Sequence, residues 1–213
     1  MEFSQLLKIV NTEPVFETGL LLAGSVDPAN VRRQLSRWVS TGRLIQLRRG
    51  LYALAPPYQK VKPHPFVVAN ALVHGSYVSL QAALAHYGLI PEYTPLITSV
   101  TTGRPGCWQT PLGDYRFHHL KPAWFHGYQR LALDSEQQAF VALPEKALLD
   151  LITLHPSSDD PAYLTELRLQ ALERLDLERL VHLAEESGRP KLRRAAQFII
   201  DLARAEAEEY QSL

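Results

Sequence analysis

The order of apolar and polar positions predicts two short helices at the beginning of the chain. In SQLLKIVNTE, Leu6, Leu7 and Val10 fall on one face of a helix that Ser4 can cap. A second, shorter helix is expected in FETGLLLAG, and the pair at positions 24–25 should break it. The chain is therefore expected to open with helix, turn and helix.

The third predicted helix, DPANVRRQLSRWVSTG, has a stronger pattern. Asp27 can cap it, Pro28 occupies its first position, and Gly42 lies just past its end. Its apolar residues recur at helical spacing and define the face that packs on a core: Val31, Leu35, Trp38 and Val39. The polar residues between them must then point away from the core: Asn30, Arg33, Gln34 and Arg37.

A hairpin is expected directly after this helix. In RLIQLRRGLYAL two short apolar stretches surround Arg48, Arg49 and Gly50. A basic helix followed by a hairpin with a basic tip is the arrangement of a winged helix-turn-helix. Such a helix fits the major groove, where Arg pairs with guanine and Gln with adenine, while the hairpin reaches the backbone or the minor groove. The pattern predicts binding to double-stranded DNA.

Prolines mark the end of this segment. Four of them lie within APPYQKVKPHP, residues 55–65, where they disfavour helices and strand ladders. We therefore expect a DNA-binding domain over residues 1–58 and a second domain over residues 59–213.

The pattern of the second domain is mixed, so the predicted fold class is α+β. Ser79 can cap a helix in SLQAALAHYG, and Pro144 begins another in PEKALLDLITL. We expect two strands, ITSVTT and YRFHHL, on either side of a connecting loop, GRPGCWQTP. We expect a hairpin in RLALDSEQQAFVA. Three amphipathic stripes predict a small helical subdomain over about 160–210.

Charge is distributed unevenly although the formal net charge is zero. From Pro28 to Lys62 there are eight basic residues and no acidic one, whereas residues 134–213 hold sixteen acidic and nine basic residues, a net of −7. A block of one sign attracts partners of the other sign, so the two ends should meet different partners. The alternative is that both blocks are ordinary solvated surfaces.

Composition narrows the class of protein. A single cysteine, Cys107, excludes a disulfide scaffold. No run approaches the roughly 18 apolar residues that a membrane helix needs, and Glu2 stands where a secretory signal would have basic residues. We expect a cytoplasmic protein with no membrane partner.

Several residues could suggest catalysis, but the spacing argues against each set. His118 and His119 are neighbours on a predicted strand and face opposite sides, so they are poor partners for one metal ion. Lys146 and Asp150 are better explained as an ion pair at i and i+4, and Ser79 lies about 10 Å from His86 along one helix. No phosphate-binding glycine motif is present in the sequence. We therefore predict no metal, no cofactor and no enzymatic activity.

Four segments in order resemble the AbiEi-type antitoxins: residues 16–54, GSYVSLQAALAHYGLIPE, SVTTGRPG and LPEKALLDLI. The resemblance implies an antitoxin that represses its own promoter through an N-terminal winged helix-turn-helix and counteracts a nucleotidyltransferase-like toxin. Carried over by position, the DNA-binding residues would be Arg32, Arg33, Gln34 and Arg37 on the helix and Arg48 and Arg49 on the hairpin. Leu143 departs from the family, where a Thr or Ser cap often precedes the proline.

Two alternatives of other classes stay open at the level of sequence. One is a nuclease that a winged helix targets to DNA, with Asp159 and Asp160, or Glu145 and Asp150, as its carboxylates. The other is a transcriptional regulator that responds to a small molecule, for which a ligand pocket in the second domain would be the mark.

Overall fold

The computed structural model describes residues 1–23, 26–91 and 95–211. Its first helix, α1, spans Phe3–Val10 and buries Leu6 and Val10. The N-cap is Glu2 and not Ser4, because the side chains of Glu2 and Gln5 form a reciprocal capping box in which the Glu2 amide donates to Gln5 Oε1 at 3.0 Å. The helix is therefore as predicted, but it begins two residues earlier than a Ser4 cap would allow.

The second predicted helix is absent from the described part of the chain. Its place is taken by a short strand, β1 (Phe16–Glu17), and a 3₁₀ helix over Thr18–Leu21. The Thr18 amide donates to the Gly50 carbonyl at 2.9 Å, so pairing with a distant segment overrides the local helical pattern. The predicted break at positions 24–25 lies outside the described residues.

The third helix and the hairpin are confirmed. Helix α2 spans Pro28–Ser40, and the Asp27 side chain accepts a hydrogen bond from the Ala29 amide at 3.0 Å. Strands β2 (Leu44–Arg48) and β3 (Leu51–Leu54) follow as an antiparallel hairpin, and together with β1 they form a three-stranded sheet in the order β1-β3-β2.

This hairpin is packed from two directions. Tyr52 and Leu54 belong to an N-terminal core with residues of α1 and α2, whereas Leu47 and Leu51 are buried in the larger core formed by the rest of the chain. The proline-rich segment 55–65 runs between the two regions without helix or strand until α3 begins at Pro65. A boundary near residue 58 therefore marks where the chain leaves the N-terminal core. It does not separate the hairpin from the larger core.

A six-stranded mixed sheet forms the centre of the second region, which makes the protein α+β as predicted. The strands are β4 (Ser76–Val78), β5 (Leu96–Thr101), β6 (Gly106–Thr110), β7 (Gly113–His119), β8 (Tyr128–Ala132) and β9 (Gln138–Ala142). Their order is β6-β7-β5-β4-β9-β8, with β4-β9 and β5-β7 parallel and the other pairs antiparallel. Strands β6 and β8 are therefore the two edges.

Strand β6 replaces the connecting loop expected in GRPGCWQTP. It pairs with β7 from Gly106 opposite Phe117 to Thr110 opposite Gly113. As an edge strand it leaves most of its side chains exposed, so it lacks the apolar alternation by which a strand is recognised in sequence. The expectation of a loop was wrong for this reason.

Helices surround the sheet and form the C-terminal part of the chain. Helix α3 spans Pro65–Leu72, α4 spans Leu80–His86 and α5 spans Pro144–Leu154. The C-terminal helices predicted over about 160–210 are confirmed as α6 (Pro161–Glu166), α7 (Leu177–Glu186) and α8 (Pro190–Gln211). Leu164, Leu180 and Leu192 on their apolar faces are buried in the same core as the sheet. Over the described ranges, no helix is both long enough and apolar enough to cross a membrane.

Candidate nucleic-acid interface

The exposed side of α2 carries three arginines. Val31, Leu35 and Trp38 anchor the opposite side in the N-terminal core, so Arg32, Arg33 and Arg37 are held in solvent. The salt bridges found within residues 1–23, 26–91 and 95–211 include none of the three. Their guanidinium groups are therefore not neutralised by that part of the protein.

The spacing of these arginines suits a duplex groove. Arg33 and Arg37 lie one turn apart and share the outermost row of the helix, while Arg32 lies about 100° around the axis from Arg33. A helix of 13 residues is about 20 Å long, and the major groove is wide enough to admit one. The geometry allows Arg33 and Arg37 to contact base edges while Arg32 contacts a phosphate.

Gln34 occupies a different environment from the arginines. Its side chain is half-buried, and its Nε2 donates to Asn30 Oδ1 at 3.4 Å. Together with Arg37 and Arg43 it lines a groove of about 500 Å³ between the start of α1 and α2. Gln34 thus lies on the flank of α2 that faces α1 and not in the outermost row.

Arg43 is a basic residue at this surface that the sequence reasoning did not select. It is exposed, and its guanidinium carbon lies 5.0 Å from the centroid of the Phe3 ring. The signal was available, because Arg43 belongs to the acid-free segment from Pro28 to Lys62. That it lines the same groove as Arg37 could not be deduced, because the groove forms where the start of α1 packs against α2.

The two hairpin arginines are placed differently from one another. Arg49 is exposed in the turn between β2 and β3. Arg48 is only 22% exposed, and its guanidinium bonds to Glu17 and to the backbone carbonyls of Leu72 and Ala71. The expectation that both arginines face DNA therefore needs correction: Arg49 stays in the candidate interface, and Arg48 is removed because its donors are used within the protein.

The polar residues of α5 form a closed network in the second core. Lys146 forms an ion pair with Asp150, as the i, i+4 spacing predicts, and both side chains are fully buried. Asp150 Oδ2 also accepts from the Tyr77 hydroxyl at 3.0 Å and the Ser79 hydroxyl at 2.9 Å. Burial raises the pKa of Asp150 and lowers the pKa of Lys146, and the ion pair opposes both shifts. The network joins β4 and the start of α4 to α5.

The other candidate catalytic residues make structural contacts. Glu145 lies in the first turn of α5, is 1% exposed and accepts from the Asp176 amide at 2.8 Å and from Arg179 at 3.4 Å. Asp159 pairs with Arg194, and the Asp160 side chain caps α6. No cluster of three potential metal-ligating side chains occurs among the residues that the structure describes. The described contacts therefore give Glu145 and Asp159 a role in joining segments and Asp160 a role in capping α6.

A groove of about 550 Å³ in the second region lies between the start of α3, α4 and the sheet. Its walls are largely apolar, and His64 and His86 flank Phe66 with ring-centroid distances of 4.9 and 5.3 Å. His64 Nδ1 accepts from the Phe66 amide at 3.1 Å, which caps α3 and leaves the proton of the neutral ring on Nε2. Burial lowers the pKa of both histidines, so the neutral rings are favoured.

Comparisons with known proteins concern the fold alone. No protein-family model matches the chain, and no curated protein matches it. The chain is similar to a crystal structure of the RV2827C protein from Mycobacterium tuberculosis, with a TM-score of 0.56 and 20% sequence identity, over 94% of this chain and 76% of that chain.

Proposed function

We propose that this protein is a DNA-binding antitoxin that represses its own promoter and counteracts a nucleotidyltransferase-like toxin in the bacterial cytoplasm. The DNA-binding part has one main support: Arg32, Arg33 and Arg37 extend from one exposed side of a capped helix that is anchored on a core. The antitoxin part rests on the resemblance of the four segments to AbiEi-type proteins. In this proposal α1, the 3₁₀ turn, α2 and the hairpin act as a winged helix-turn-helix.

The proposed DNA interface consists of Arg32, Arg33 and Arg37 on α2 and Arg49 on the hairpin turn, with Gln34 and Arg43 at the edge of α2. Arg pairs bidentately with guanine in the major groove, whereas arginines outside the groove contact phosphates. The interface therefore combines sequence readout by the outermost row of α2 with phosphate contacts on either side.

The DNA-binding proposal is tested by selection from a random pool of 30-bp duplexes with the full-length protein. Enrichment of a consensus sequence that competes specifically for the protein is the expected result. A pool that stays random after repeated rounds, while the protein is folded, would contradict it.

The antitoxin proposal is tested in cells with the full-length protein under an unrelated promoter, so that repression cannot be mistaken for protection. The wild type should relieve growth arrest caused by the toxin encoded beside it. A variant with Arg32, Arg33 and Arg37 all replaced by Ala should protect equally well, because the family resemblance assigns protection to residues 59–213, which this variant leaves unchanged. Growth arrest that the expressed wild type does not relieve would refute the antitoxin assignment.

A further inference from the structure

Arg48 is bonded to the end of a helix in the second region. Helix α3 ends at Leu72, and the last carbonyls of a helix have no partner within it. Arg48 Nε donates to the Leu72 carbonyl at 3.1 Å, and its Nη2 donates to the Ala71 carbonyl at 3.2 Å. A cation at this position also interacts favourably with the negative end of the helix dipole.

A second pair of contacts meets at the carboxylate of Glu17, which the same guanidinium binds. Arg48 Nη2 donates to Glu17 Oε1 at 2.9 Å, and His74 Nε2 lies 2.9 Å from the same oxygen. The hydrogen bond with His74, with the nearby charges of His74 and Arg48, holds the pKa of Glu17 below its usual value. Glu17 belongs to β1 and His74 follows α3, so this carboxylate joins the N-terminal sheet to the second region.

The turn of the hairpin is also bonded to the segment that precedes α2. Gly50 accepts from the Thr18 amide at 2.9 Å and from the Thr18 hydroxyl at 3.4 Å. Thr18 begins the 3₁₀ helix, which packs against α2. A continuous series of contacts therefore runs from the end of α3 through Arg48 and Gly50 to Thr18 and α2.

The donors of Arg48 are nearly all used in these contacts. A guanidinium has five N–H groups. Nε and Nη2 bond to the partners above, and Nη1 donates to the Arg49 carbonyl at 3.2 Å. One N–H group is left over, so Arg48 is poorly placed to bind a phosphate, whereas its neighbour Arg49 is exposed in the turn.

We propose that Arg48 is a positioning residue for DNA binding: it fastens the hairpin to α3 and thereby fixes the hairpin turn, with Arg49, in one orientation relative to α2. The inference rests on the proposed DNA-binding function. A hairpin turn held in one orientation relative to the base-reading helix presents its side chain without an ordering cost at the moment of binding. Arg48 thus acts on specificity through the hairpin and not through contact with DNA.

The test compares full-length Arg48→Ala, Arg48→Lys and Arg49→Ala on the duplex enriched with the wild type and on a random-sequence duplex. Arg48→Ala should weaken specific binding about tenfold, with an unchanged salt slope and unchanged binding to the random duplex. Arg48→Lys should restore part of the specific binding, because an ammonium can still donate to the helix-end carbonyls. Arg49→Ala is the matched control and should lower the salt slope by about one unit.

Two outcomes would overturn the proposal. One is a salt slope that falls by about one unit in Arg48→Ala with equal losses on both duplexes, which would mean that Arg48 binds a phosphate. The other is specific binding that does not change. All measurements are made well below the melting temperature of each variant, so a loss of folded protein does not contribute.

Hydrogen exchange without DNA separates this proposal from the proposed function. The Thr18 amide should exchange faster in Arg48→Ala and in Glu17→Gln than in the wild type, because the Gly50 carbonyl is no longer held in place. If the wild type binds no DNA, the proposed function fails, yet faster exchange at Thr18 would still support the fastening contact. Unchanged protection in both variants would overturn that contact.

Discussion

Replacement of Asp150 by Ala is expected to be among the most destabilising single substitutions in this protein. Asp150 is fully buried and accepts from three groups: the Lys146 ammonium and the hydroxyls of Tyr77 and Ser79. Its removal leaves two hydroxyls without their acceptor and a buried ammonium whose one remaining hydrogen-bond partner among the described residues is the Tyr77 oxygen, 3.0 Å from Nζ. Breaking a buried ion pair from one side costs about 3 to 5 kcal/mol.

The same reasoning predicts that a second substitution compensates for part of the loss. In the double variant Lys146→Met, Asp150→Ala, no unpaired charge is left in the core, so the free energy of unfolding should be higher than in Asp150→Ala alone. Urea unfolding of the full-length wild type, Asp150→Ala, Lys146→Met and the double variant gives the four free energies that this comparison needs. Asp201→Ala is the control, because Asp201 is exposed on α8 and should change stability by less than about 0.5 kcal/mol.

The result that would refute this reasoning is specific. If Asp150→Ala lost less than about 1 kcal/mol, or if the double variant were destabilised by the sum of the single losses, the network would not act as one buried unit. Its interpretation as the structural link between β4, α4 and α5 would then have to be abandoned.

Two further predictions follow from burial. Burial lowers the pKa of His64, so as pH falls the imidazole takes up a proton in the unfolded chain before it does so in the folded protein. The free energy of unfolding should therefore decrease from about pH 6.5 downwards. Urea unfolding at pH 7 and pH 5 should show a smaller decrease in His64→Asn, which keeps a helix cap. A wild-type profile in His64→Asn would contradict this. Leu51 is 1% exposed and packs in the larger core formed by the rest of the chain. A fragment of residues 1–58 should therefore melt at a lower temperature than the N-terminal region of the whole protein. Equal protection of the hairpin amides from hydrogen exchange in the fragment and in the whole protein would contradict this prediction.

The parts of the structure that could be predicted are those whose signals are local. Asp27, Pro28 and the apolar spacing of α2 define that helix without reference to the rest of the chain, and Arg49-Gly50 marks the hairpin turn in the same way. The outward positions of Arg33 and Arg37 follow directly from the helix period, whereas Arg32 is selected only through the family resemblance.

The rest depends on contacts between distant segments. Arg48 and Arg49 are adjacent and identical in type, and the contacts of Arg48 with Glu17 and with the end of α3 distinguish their environments. Strand β6 has no apolar alternation because it is an edge, and β1 forms because Phe16 pairs with Tyr52, 36 positions away. A signal for the buried network was present, since α5 is apolar on nearly every side and has no face for Lys146 and Asp150 to turn towards solvent.

The central claim is that the exposed arginines of α2 read DNA, and one binding measurement tests it most directly. The duplex enriched by the wild type is titrated with four full-length proteins: the wild type, Arg33→Ala, Arg37→Ala and Arg204→Ala. Arg204→Ala is the control, because this arginine is exposed on α8. The account predicts that each α2 substitution weakens specific binding by about 1 to 3 kcal/mol and relaxes base preference, while Arg204→Ala binds like the wild type. Wild-type affinity and base preference in both α2 variants would contradict it.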